Sequence, residues 1–79
     1  MNRIIDVIPL DNYELLITFE NGEKRKKDMK PYLQKGVFKK LNDKDFFKKV
    51  KIAFGTISWG ENIDLCADNI YKNSEIVEM

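Results

Sequence analysis

The segment from residue 13 to residue 20, with the Asn-Gly pair after it, constrains the fold more than any other part of this chain. Side chains alternate along the segment with the period of a β-strand. One face carries the apolar side chains Tyr13, Leu15, Ile17 and Phe19. Asn21-Gly22 is the pair preferred in a type I′ turn, where both residues have positive φ. The sequence therefore predicts a β-hairpin here.

The return strand, residues 23–29, is almost entirely charged, which predicts an edge position in the sheet. A type I′ turn would place Lys24 opposite Phe19 and Lys26 opposite Ile17. We expect the lysine methylene groups to cover these apolar side chains while the ammonium groups stay in water. Lysines on an edge strand also prevent other chains from pairing with it.

The remaining segments predict short elements. Further strands are expected at residues 3–8, 51–54, 56–59 and 63–66, helical turns at 31–35 and 37–41, and a helix at 43–49. Asp68 is expected to cap a last helical turn. The order predicts an α+β fold: a mainly antiparallel β-sheet with an N-terminal hairpin and one or two short helices packed on one side. We expect residues 1–79 to form one domain, with residues 72–79 as a frayed tail.

The composition excludes several kinds of site. The 79 residues contain no His and one Cys. A Ser-His-Asp triad, a Cys-His pair and a His-ligated zinc site are therefore impossible, as is an internal disulfide. No apolar run approaches the roughly 20 residues that a membrane span needs. We expect a non-enzymatic cytoplasmic protein with no cofactor, no bound metal and no membrane association.

The net charge of +1 conceals a separation of charge along the chain. Residues 24–51 contain twelve basic residues and three acidic ones, whereas the rest contains two basic and ten acidic residues. Such a basic region favours nucleic acid, an acidic protein partner or self-association, although a solvated lysine face has the same composition. Eleven of the twelve are lysines, which lack the arginine fork that reads bases. The candidate binding residues are Lys24, Arg25, Lys26, Lys27, Lys44, Lys48 and Lys49.

A second candidate site lies among the acidic residues Glu61, Asp64 and Asp68. Carboxylates at this spacing could bind a divalent cation or act in acid–base chemistry. They could equally have structural roles only, with Glu61 in a turn, Asp64 at a strand end and Asp68 as a helix cap. Asp64 is the best candidate binding residue of the three, because it stands between two apolar strand residues. The neighbouring Trp59 is expected in the core with its ring N–H bonded to a backbone carbonyl, and Cys66 as a buried, inert thiol.

Several motifs together resemble the small bacterial family called domain of unknown function 2442, over about residues 5–71. They are the hairpin sequence Thr18-Phe19-Glu20-Asn21-Gly22-Glu23, the group Leu41, Asp43 and Phe46, and the ending Trp59, Asp64-Leu65, Asp68 and Tyr71. The chain departs from the family pattern at three places. It has Trp59-Gly60-Glu61-Asn62 for Trp-Pro-Asn-Gly, Ala67 for Pro, and lysines at 24 and 26 for apolar residues.

The resemblance implies a compact cytoplasmic α+β domain with no established enzyme activity. Family members occur alone, beside another small protein in an arrangement resembling a toxin–antitoxin pair, or fused to a helix-turn-helix domain. We therefore expect a small binding or regulatory module that acts through a small protein partner or as a homodimer. The alternatives are a nucleic-acid-binding protein that uses residues 24–51 and a carboxylate-based metal or catalytic site.

Overall fold

Seven short strands form two antiparallel sheets in the computed structural model, which describes residues 3–60 and 63–77. The first sheet contains, in spatial order, β1 (Ile4–Pro9), β2 (Glu14–Phe19), β3 (Lys24–Asp28) and β7 (Glu75–Ile76). The second contains β4 (Lys51–Ala53), β5 (Thr56–Gly60) and β6 (Ile63–Leu65). The helices are two 3₁₀ segments (Lys30–Tyr32 and Gly36–Asn42), α1 (Lys44–Phe47) and α2 (Ala67–Lys72). The predicted α+β class is confirmed, with the strands divided between two sheets.

The predicted hairpin is present, but its register differs by one residue from the prediction. Ile17 pairs with Arg25, and Leu15 pairs with Lys27. The loop has three residues rather than two, and Gly22 adopts positive φ (89°) whereas Asn21 does not. Asn21 instead accepts a hydrogen bond from the backbone N–H of Glu23 through its side chain, at 3.0 Å. This is the three-residue hairpin loop with a glycine bulge, and it replaces the predicted type I′ turn.

The one-residue shift reverses which basic side chains face the core, because strand side chains alternate between the two faces. Arg25 and Lys27 lie on the inner face with Ile17 and Leu15, where we predicted Lys24 and Lys26. The β3 strand is also not an edge, since β7 pairs with Arg25 and Lys26 on its other side. Residues 75–76, which we expected in a frayed tail, form that strand.

The core lies between the two sheets and the helical segments. The predicted inner side chains Leu15, Ile17 and Phe19 are fully buried. Trp59 is also buried, and its indole N–H donates to the carbonyl of Phe47 at 2.9 Å, as predicted. Phe47 stacks on the Trp59 ring with centroids 6.1 Å apart.

The predicted Asp68 cap of the last helix is wrong, whereas α1 does begin with an aspartate cap. Asp43 caps α1, where its side chain accepts from the backbone N–H of Asp45 at 3.0 Å. At α2 the N-cap position is Cys66, and Asp68 lies inside the first turn. Cys66 is exposed, contrary to the prediction of a buried thiol, because it stands at this turn after β6 has ended. Among the described residues no helix is long and apolar enough to cross a membrane.

Candidate functional site

The turn between β4 and β5 presents an unusual residue to solvent. Ala53 pairs with Thr56, so Phe54 and Gly55 form a two-residue loop. Both have positive φ, 54° for Phe54 and 77° for Gly55, which is the geometry of a type I′ turn. The Phe54 side chain is fully exposed, with a relative accessibility of 103%.

Neither local conformation nor packing favours a phenylalanine at this position. The left-handed region costs a non-glycine residue about 1–2 kcal/mol, and type I′ turns prefer Asn or Asp before Gly. An exposed ring also gains nothing from the about 1.5–3 kcal/mol that full burial of a Phe provides. The isolated fold therefore gives no physical reason for the presence of Phe54.

The turn is fixed to the start of β1. The backbone N–H of Ile4 donates to the carbonyl of Gly55 at 2.9 Å. The Arg3 side chain lies across Gly55, where an added Cβ would stand 2.8 Å from the Arg3 Cγ. The absence of a side chain at Gly55 thus permits both the positive φ of the turn and the close approach of Arg3.

An open cleft of about 570 Å³ lies beside this turn, between the start of β1 and the first turn of α2. Its apolar lining comes from Phe54, Leu65 and Ala67. Its charged lining consists of one basic side chain, Arg3, and the three acidic side chains of Glu20, Asp64 and Asp68. None of these carboxylates forms an ion pair with another described residue. The cleft is therefore acidic with an aromatic side chain at its rim.

The structure places Asp64, the acidic residue singled out from the sequence, on the wall of this cleft. Asp64 is exposed and lies opposite Ser58 in the β5–β6 ladder. Asp68 lines the same cleft, whereas Glu61 lies outside the described residues. Within residues 3–60 and 63–77, no group of three or more Cys, Asp or Glu side chains is arranged to hold a metal ion.

Arg25, a candidate binding residue, is engaged inside the fold. Its guanidinium carbon lies 3.9 Å from the centre of the Tyr71 ring. The same group donates to the carbonyls of Tyr71 at 3.0 Å and Ser74 at 3.4 Å, and pairs with Glu23 at 3.1 Å. Its side chain is only 11% exposed.

Lys27, another candidate, is buried at 4% accessibility. Its ammonium group donates to the carbonyl of Asn73 at 3.3 Å and lies 4.9 Å from the centre of the Tyr32 ring. We call Arg25 and Lys27 the basic clamp, because both bind carbonyls at the C-terminal end of α2. Cations are favourable there, since the carbonyls at a helix C-terminus carry partial negative charge. The clamp therefore holds the C-terminal end of α2 against β3.

The groups around the clamp also lower the pKa of Glu23. The pKa of the Glu23 carboxyl lies below its ordinary value of 4.5, chiefly because the Tyr71 side chain forms a hydrogen bond with it. The hydrogen bond and charge of Arg25 lower it further, and partial removal of water acts in the opposite direction.

The other candidate basic residues lie on different parts of the surface. Lys24 and Lys26 are half-buried on the outer face of the first sheet, opposite Thr18 and Leu16. Lys44, Lys48 and Lys49 are exposed in and after α1. A shallow depression near α1 is lined by Lys39, Lys40, Asp43, Phe46 and Lys49.

Phe54 was expected at the end of a strand, and no functional role was predicted for it. A signal was present, because an aromatic residue directly before Gly55 stands where a short hairpin loop usually has Asn or Asp. Its meaning depends on the length of the loop, which is known to be two residues only because Ala53 pairs with Thr56 in the structure.

The comparisons with known proteins identify a family and no individual relative. A family model described as "Protein of unknown function (DUF2442)" matches residues 4–75, nearly the whole chain. Searches of curated proteins and of solved structures found no match.

Proposed function

The chain belongs to the DUF2442 family of proteins of unknown function, and we propose that it is a small, non-enzymatic, cytoplasmic module that binds a protein partner. The observation that carries this proposal is Phe54, fully exposed at positive φ on the rim of the cleft. Aromatic side chains, phenylalanine among them, are enriched in protein interfaces relative to the rest of the surface.

Burial of Phe54 against a partner would offset the free energy that its backbone conformation costs the isolated fold. Burying the ring against a partner provides about 1.5–3 kcal/mol, which is comparable to or larger than most of the conformational cost of about 1–2 kcal/mol. The backbone hydrogen bond from Ile4 to Gly55 holds the turn against β1. A side chain presented on a fixed turn loses little entropy on association, and this favours binding.

The partner is either a second, small protein or another copy of this chain. The family resemblance favours the first arrangement, in the manner of a toxin–antitoxin pair. Either arrangement would bury Phe54.

The test compares three baits in extracts of the native host: the wild type, Phe54→Asn and Val37→Asn. Val37 is an exposed apolar residue (51%) outside the cleft, so its replacement controls for general surface hydrophobicity. A protein recovered by the wild type and Val37→Asn, and lost with Phe54→Asn, supports the proposal. Sedimentation at rising protein concentration tests the homodimer with the same variants. The proposal is refuted if the protein is a monomer at every concentration and the three baits recover the same proteins.

Nucleic-acid binding is a second candidate, favoured by the depression near α1. Three lysines surround the half-buried Phe46 there, and Lys44 and Lys48 are exposed nearby in sequence. Lysine contacts to phosphates release counterions, so affinity would fall steeply with salt. Titration of labelled duplex DNA and RNA with the wild type and a Lys39→Gln/Lys49→Gln variant tests this. No binding at about 50 mM salt, where such contacts are strongest, refutes it.

A further inference from the structure

We propose that the cleft beside Phe54 takes a partner segment in which a lysine or arginine stands next to an apolar residue. This inference rests on the proposed protein-binding function and adds the chemistry of the partner.

The apolar half of the recognition comes from Phe54. Its ring is fully exposed, and Ala67, which lines the same cleft, is half-buried. A partner side chain that packed against Phe54 in the cleft would be removed from water. Aliphatic and aromatic side chains gain about 25 cal/mol per Å² from such burial. The ring face also attracts a cation placed over it.

The preference for a basic residue in the partner comes from the excess of acidic side chains in the cleft. The lining holds one basic side chain against the carboxylates of Glu20, Asp64 and Asp68. Arg3 lies against Gly55 and forms no ion pair with these carboxylates. A concave surface lined by charges of one sign concentrates its field and attracts a ligand of the opposite sign. An acidic segment would meet three like charges and be rejected.

The same imbalance argues against a symmetric pair of these chains. A two-fold interface places the same patch of each copy against the other. If the cleft lay on the two-fold axis, two acidic clefts would face one another, and like charges in contact are unfavourable. If one copy inserted its lysine-rich region into the cleft of the other without a reciprocal contact, the arrangement would be head-to-tail, which extends into filaments unless the ring closes. A different protein with a basic segment meets neither difficulty.

The experiment selects peptides from a displayed library of random twelve-residue sequences on the immobilised full chain. We expect the enriched peptides to carry Lys or Arg beside an apolar residue. Synthetic versions are then titrated by fluorescence anisotropy against the wild type, Asp64→Asn/Asp68→Asn, Phe54→Asn and Asp6→Asn. Asp6 is an exposed carboxylate outside the cleft and serves as the matched control. Circular dichroism checks that every variant is folded.

The expected result follows from the strength of exposed ion pairs. Each contributes about 0.2–1 kcal/mol, so loss of both aspartates should weaken binding about two- to thirty-fold. Phe54→Asn should weaken it by at least about tenfold, which is the loss of one buried aromatic. Asp6→Asn should bind as the wild type does. A peptide with Glu in place of its basic residues should not bind.

Other outcomes overturn the inference in distinguishable ways. Neutral or acidic peptides that still require Phe54 would refute the basic partner and leave the protein-binding function intact. Peptides that bind Phe54→Asn as tightly as the wild type would refute both the basic partner and the proposed protein-binding function. A failure to enrich any peptide would do the same. Self-assembly in sedimentation that the double aspartate variant abolishes would identify a second copy as the occupant, against the proposal.

Discussion

Replacing Phe54 by asparagine should make this protein more stable and at the same time weaken the proposed binding of a protein partner. The substitution leaves Gly55 in place and gives the turn the Asn-Gly sequence that type I′ geometry prefers. It removes a ring that is fully exposed, so no burial within the fold is lost. The two effects have opposite signs because an exposed phenylalanine suits the proposed interface and does not suit the turn.

The stability gain can be estimated from the backbone conformation. Phe54 has φ of 54°, a region that costs an ordinary residue about 1–2 kcal/mol and that asparagine adopts more readily. We expect the free energy of unfolding to rise by about 1 kcal/mol. In a domain of 60–100 residues this corresponds to an increase in Tm of about 4–8 °C.

Urea unfolding followed by the fluorescence of Trp59 provides the measurement. Trp59 is the single tryptophan and is buried, so its emission reports the core. Phe54→Ala is the control, because it removes the ring but keeps an ordinary side chain at positive φ. Its stability should stay near that of the wild type.

A decrease in stability of more than about 1 kcal/mol for Phe54→Asn would contradict this reasoning, because single surface substitutions stay within about 0.5 kcal/mol unless a contact is lost. Phe54 would then contribute to the fold, and the case for an interface anchor would fail.

The remaining predictions concern the clamp, the core and pH. Arg25→Ala should destabilise by about 2–3 kcal/mol, because it removes several charge-assisted hydrogen bonds, and hydrogen exchange should speed up most at the Val77 amide, which donates to Lys24. Trp59→Phe should cost about 2–4 kcal/mol in urea unfolding followed by circular dichroism, since it leaves a cavity and removes the hydrogen bond from the indole N–H to the Phe47 carbonyl. The lowered pKa of Glu23 adds stability above its ordinary value of 4.5 that is lost as the pH falls through the folded value. The stability difference between wild type and Glu23→Gln should therefore shrink in urea titrations below about pH 4.5, and a constant difference would refute this cause.

The apolar pattern predicted the strands well because alternation depends only on local sequence. Leu15, Ile17 and Phe19 were assigned to the correct face from their spacing alone. The register of the hairpin was wrong because Asn21-Gly22 suits two loop types. The side chain of Asn21 bonds forward to Glu23 and so selects the three-residue loop.

The single-residue shift explains why two of the candidate basic residues, Arg25 and Lys27, were placed wrongly. The charge of β3 indicated an exposed strand, whereas Arg25 and Lys27 are drawn inside by carbonyls 46–49 residues later in the chain. No local pattern contains that information. Asp64 was identified because an acidic residue between two buried strand residues must face outward. Phe54 was missed because its significance depends on the turn geometry and on its exposure.

The pairing of β3 with β7 has a consequence for the order in which this protein is made. Arg25 meets its carbonyl partners only after Tyr71 and Ser74, 46 and 49 residues later, have left the ribosome. Until then β3 is the open side of a completed hairpin, at a stage when an apolar strand would invite pairing with neighbouring nascent chains. Charged residues on such an open strand oppose pairing with other chains. We therefore expect the basic residues of β3, two of which later hold α2 in place, to protect the unfinished protein from aggregation.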